Sequence, residues 1–152
     1  MSYTTKSVSE LITEYINRNT FLPAIQREFV WSTYSIAKLF DSIMCKYPIS
    51  SFLFWKIREE RKKDWVGYNF ISDFDTERRH NPEANLAGVN QDVFFVLDGQ
   101  QRLTSLLIGL KGSYRYSYYR WYKTRLYLNL FKKPVENDNP EELSFHFAFR
   151  EN

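Results

Sequence analysis

Val93-Phe94-Phe95-Val96-Leu97-Asp98-Gly99-Gln100-Gln101-Arg102-Leu103-Thr104-Ser105-Leu106-Leu107-Ile108 is the stretch that decides how this chain is read. Its first five residues are an unbroken apolar run, the pattern of a central strand buried on both faces. The run stops at Asp98-Gly99. A helical pattern follows over residues 100–110, with Gly112 placed to close it as a C-cap. A strand that runs through an Asp-Gly turn into a helix presents a helix N-terminus at the strand's end. The unpaired N–H groups there, with about half a positive charge, suit a phosphate. Gly99 removes the Cβ that would hold a ligand away from the backbone. Arg102, in the first turn, offers a guanidinium for bidentate phosphate contact. Asp98 is positioned to hold a metal ion or to orient water. A purely structural reading competes with this one: Asp98 caps the helix and pairs with Arg102. The residues alone leave the two open.

Upstream, Val8, Leu11, Ile12, Tyr15 and Ile16 recur at helical spacing, which predicts a helix over 8–18 capped by Ser7. Phe21-Leu22-Pro23-Ala24-Ile25 reads as a short strand with proline at an edge position. Ser32 opens a second helix with Ile36, Leu39, Phe40, Ile43 and Met44 on one face, and Pro48 marks its exit. Residues 51–57 alternate loosely as a strand. Residues 58–91 are polar and aperiodic, expected as a loop or insertion with one strand-like run at Tyr68-Asn69-Phe70-Ile71. Residues 126–131 and 145–149 alternate as strands. The class is α+β, a small mixed sheet flanked by helices, in a single domain over 1–152 that reads as part of a longer polypeptide.

Composition excludes several classes. With 152 residues, 43% hydrophobic and 18% aromatic, the chain can bury a real core and is not a disordered segment. One cysteine, Cys45, rules out a disulfide framework. No apolar run approaches the about 20 residues of a membrane helix, and the first residues lack the apolar core of a signal peptide, so a cytoplasmic protein without membrane partners is expected. One Cys and two His cannot build a structural zinc site. Neither a Gly-rich P-loop nor a serine elbow occurs. Glu60-Arg61-Lys62 has the Glu-x-Lys spacing of some metal nucleases but reads more simply as part of a solvated charge run.

The formal charge is only +3, yet residues 99–135 hold eight Lys or Arg and no acidic residue. Within them, residues 111–125 interleave five cations with five Tyr and one Trp. Phosphates favour such cations and bases stack on such rings, making Arg115, Arg120, Trp121, Lys123 and Arg125 nucleic-acid candidates. The alternative is an amphipathic connector whose rings pack inward.

A second polar segment, Pro23-Ala24-Ile25-Gln26-Arg27-Glu28-Phe29-Val30-Trp31-Ser32, lies between strand and helix. Read alone it is either a cleft-facing pair, Gln26 and Arg27, or a surface turn whose Phe29 and Trp31 pack on the core. Together with Leu97-Asp98-Gly99-Gln100-Gln101-Arg102-Leu103-Thr104, this segment resembles the N-terminal domain of GmrSD-type restriction enzymes, over roughly residues 8–131. That domain is grouped with ParB and sulfiredoxin.

The resemblance implies a ParB/sulfiredoxin-like fold and a nucleotide-binding regulatory domain of a DNA-restriction or phage-defence system. In its stronger form it implies hydrolysis of a nucleoside triphosphate with a divalent metal such as Mg²⁺. By resemblance the catalytic candidates are Asp98, Gln101 and Arg102; the nucleotide-binding candidates are Gln26, Arg27, Gly99, Gln100 and Arg102; and the metal ligand is Asp98. The implied partners are a nucleotide, weakly held DNA, and a nuclease domain downstream or on a separate chain. His80 and His146, the only histidines, do not fit the His-Asn-His nuclease that often follows in the family, so nuclease activity is not expected here. Two other functions remain: a non-catalytic module recognising modified DNA, and a superfamily-type nuclease acting through Asp98.

Overall fold

A computed structural model describes residues 5–25, 27–135, 139 and 142–151. The class is α+β. Among the described residues there are two four-stranded mixed sheets, where the sequence predicts one. By backbone contacts the chain divides into two compact units, each built from separated segments.

The first unit comprises Met1–Arg27, Phe52–Phe70 and Asn81–Gln100. Helix α1, Val8–Glu10, continues as a π-turn over Leu11–Tyr15, with the Ser7 hydroxyl accepting from the Glu10 amide. The helix expected over 8–18 therefore stops short. Asn17 takes a left-handed backbone (φ 61°), and its amide holds both the N–H and the carbonyl of Phe70, at 2.6 and 2.9 Å. Strands β1 (Thr20–Pro23), β2 (Leu53–Ile57), β3 (Gly67–Tyr68) and β5 (Val93–Asp98) form the sheet in the order β2-β5-β1-β3. β5 pairs parallel with β1 and antiparallel with β2, the central place its apolar run predicted. Val93, Phe95 and Val96 are buried, whereas Leu97 is exposed at the strand's end. Phe21, Ile57, Ala84, Leu86, Val93 and Phe95 form one core.

The second unit comprises Glu28–Ser51, Ile71–His80 and Gln101–Asn152. Helix α2, Thr33–Met44, is capped by Ser32 as read from sequence, and it buries Ile36, Ala37 and Leu39. Helix α3 is Gln100–Lys111. Strands β4 (Asp73–Asp75), β6 (Ser113–Tyr118), β7 (Arg120–Leu128) and β8 (Phe147–Glu151) lie in that order, the first pair parallel and the others antiparallel. Phe29, Ile36, Phe74, Ile108 and Tyr114 form the core, with Phe40, Leu126 and Phe149 packed against it.

Residues 58–91 are more ordered than a loop: they hold two 3₁₀ turns, Glu59–Asp64 and Leu86–Gly88, and the strands β3 and β4. The strand-like run at 68–71 yields only Tyr68, and β4 forms at Asp73–Asp75 instead. The polar stretch buries Phe70, Phe74, Ala84 and Leu86.

Gly112 follows α3, its N–H bonded to the Ile108 carbonyl at 3.0 Å. Its φ is not positive, so the cap expected there is not left-handed. Glycine is required for space: a Cβ would lie 1.8 Å from the Ser72 carbonyl oxygen.

Candidate functional site

β5 delivers Asp98, exposed, opposite Leu53 of β2. Gly99 follows, buried, with φ 88°, a conformation side-chain-bearing residues resist. Helix α3 begins at the next residue. The Asp-Gly pair thus turns a strand into a helix within one residue.

The three polar side chains that follow are each bonded to backbone. The Gln100 amide donates to the Val96 carbonyl at 2.8 Å. Gln101 donates through Nε2 to the Glu28 carbonyl at 2.9 Å and accepts at Oε1 from the Val30 N–H at 3.1 Å. One guanidinium nitrogen of Arg102 donates to the Ile49 carbonyl at 2.5 Å, and this side chain is half-buried. Ser50, next in the chain, has a left-handed φ of 69°. Gln101 therefore clamps the 28–30 segment to the start of α3, joining the two stretches that sequence singled out separately. At about 1 kcal/mol for each neutral bond, the clamp contributes on the order of 2 kcal/mol. Arg27 is exposed, and Gln26 lies outside the described residues.

The basic, aromatic stretch is a hairpin, β6 and β7, turning at Tyr119 with φ 63°. Alternation aims Tyr114, Tyr122, Thr124 and Leu126 at one face and Arg115, Trp121, Lys123 and Arg125 at the other. Trp121 is not core: the residue is 37% exposed, with the Arg115 guanidinium 4.2 Å above its ring. Arg120 lies 4.8 Å over Tyr122.

The stretch has no acid of its own, yet neighbouring strands supply three. Asp75 reaches Arg115 at 3.0 Å, Asp73 reaches Lys123 at 3.5 Å and Glu151 reaches Arg120 at 3.2 Å. Counting charges along the sequence therefore overstated the net charge of this surface. The Ser113 hydroxyl, donating to Asp73 at 2.5 Å, holds that carboxyl below the ordinary carboxylate range; Lys123 adds to the effect and burial opposes it.

Residues 8–152 match the family model of the GmrSD restriction endonuclease N-terminal domain. The chain belongs to this family. An uncharacterized protein of Methanocaldococcus jannaschii is 32% identical over 110 residues, 72% of this chain and 18% of that relative. The chain thus spans less than a fifth of that relative's length. Membership in the GmrSD N-terminal family implies a component of a restriction or phage-defence system. No helix among the described residues is long and apolar enough to cross a membrane.

In this GmrSD N-terminal domain the 98–102 turn joins the end of β5 to the start of α3. Gly99, buried and without a Cβ, immediately precedes the twelve-residue helix, and Arg102 stands in its first turn. Among the described residues no three His, Cys, Asp or Glu gather as a ready metal cage. A divalent ion at Asp98 would be completed by phosphate oxygens and water, as Mg²⁺ with nucleotides usually is.

Proposed function

We propose that this domain is a nucleotide-sensing module of a restriction system, binding the phosphates of a nucleoside triphosphate at Gly99 and the first turn of α3. The observation that carries the reading is the buried Gly99 at φ 88°, set between an exposed carboxylate and a helix start. The N–H groups of that first turn face phosphate oxygens, and Arg102 adds charge. Bound Mg²⁺ would neutralise phosphate charge and polarise the group to be cleaved. Asp98 holds that ion or orients water. Gln101 acts as a positioning residue, because its amide is engaged by Glu28 and Val30. Occupancy of this site would then control a nuclease domain downstream or on a partner chain.

Asp98→Asn tests the assignment, since it keeps the shape and removes the charge a metal needs. Nucleotide binding should remain measurable by calorimetry, while any phosphate release falls at least about 100-fold, the low end of what a catalytic group supplies. Equal turnover in wild type and variant would remove Asp98 from the chemistry.

A further inference from the structure

The outward face of the second sheet carries two cross-strand pairs of like charge, and the fold treats them differently. Arg115 stands opposite Lys123 across β6 and β7, and Asp75 and Asp73 neutralise this pair. Two residues further along β7, Arg125 stands opposite Arg150 of β8. The strand alternation places all four cations on one face. Arg125 and Arg150 are exposed, and among the described residues neither has an ion-pair partner. Among the described residues β8 ends the sheet, and no described strand beyond it brings carboxylates to this pair as β4 does to the other. Like charges directly opposite one another destabilise a strand pair, and an external anion relieves that cost. Tyr127, 47% exposed, follows Arg125 on the same face, and Trp121 precedes Lys123.

We propose that Arg125 and Arg150 form a contact site for the phosphodiester backbone of a nucleic acid, with Lys123 beside them. A row of cations bordered by exposed rings suits repeated phosphates that carry stackable bases better than it suits an isolated anion. Arg150 lies outside the basic stretch and becomes part of this face only through the β7–β8 register. The site does not depend on the nucleotide reading of residues 98–102.

The test uses the whole chain and a fluorescein-labelled single-stranded DNA of about 20 nucleotides, read by anisotropy across salt concentrations from about 50 mM. Contact of Arg125 and Arg150 with about two phosphates gives a log–log salt slope of roughly −1.4. Arg150→Glu should weaken binding at least tenfold and flatten the slope by about one or more. Its melting temperature should equal or exceed that of wild type, because the new carboxylate faces Arg125. The double variant Arg58→Gln/Arg61→Gln changes net charge equally on a distant segment of sequence and should bind within about twofold of wild type. Undetectable binding by wild type, unchanged affinity in Arg150→Glu, or an equal loss in the control would each overturn the proposal. Should Arg150→Glu melt lower than wild type, Arg125→Gln/Arg150→Gln decides by the same affinity criterion.

Discussion

Gly112→Ala is expected to lower stability by about 3 kcal/mol, the upper part of the range for forced overpacking. The added methyl would lie 1.8 Å from the Ser72 carbonyl oxygen and 2.5 Å from its carbon, and backbone does not yield as a side chain does. That carbonyl also accepts from the Ser113 N–H at 3.2 Å, beside the Asp73–Ser113 register that joins β4 to β6. Moving it disturbs the ladder that brings Asp73 and Asp75 to the basic face. For a chain of this size the melting temperature should fall by roughly 6–12 °C. Gly88→Ala is the matched control. There a Cβ would meet only the Asn85 side chain at 3.3 Å, and the change should stay within about 1 kcal/mol. Equal melting of both variants would show that the Ser72 contact does not constrain the fold.

Arg102→Ala carries the second large effect, and it acts twice. The half-buried guanidinium bonds the Ile49 carbonyl at 2.5 Å, and losing a charge-assisted bond costs about 1.5–3 kcal/mol of stability. If the same side chain also meets a nucleotide phosphate, affinity falls by about 10- to 100-fold. Denaturant melts and calorimetric titration on one preparation separate these roles. Reduced stability with unchanged nucleotide affinity would assign Arg102 to a structural role and take it out of the phosphate site. Reduced affinity in a variant that is still folded supports both.

The elements that could be read from sequence were those whose information is local. The Val93–Asp98 strand announced itself by an apolar run too short for a helix, and Ser32 marked the start of α2 with a capping side chain. The Asp98-Gly99 turn was equally legible, because only glycine takes φ near 88° without strain. What failed depended on partners distant in the chain. The end of α1 is set by Asn17 holding Phe70, fifty-three residues away. The β6–β7 hairpin turns at Tyr119, a residue that gives no turn signal, so its alternating rings and cations were not recognised as two strands. Most of residues 58–91 lacked periodicity because the strands there are only two and three residues long.

The same division applies to the candidate site. The motif residues were identified in sequence. That Gln101 grips Glu28 and Val30, and that Arg102 grips Ile49, required knowing which backbone groups lie within reach. The nucleic-acid candidates show the opposite error. Arg115, Arg120 and Lys123 looked uncompensated because their carboxylates, Asp75, Glu151 and Asp73, come from other strands. Arg150 was missed because its relation to Arg125 exists only through strand register.

The central claim is that nucleotide phosphate binds at the turn from β5 into α3. A titration of the ¹⁵N-labelled chain with each common nucleoside triphosphate plus Mg²⁺, followed by amide proton–nitrogen correlation spectra, tests it without any substitution. The account predicts that at least one nucleotide moves the amide resonances of Gly99, Gln100, Gln101 and Arg102 more than all others, saturating with concentration. Saturable shifts centred elsewhere, or none with any nucleotide, would contradict it.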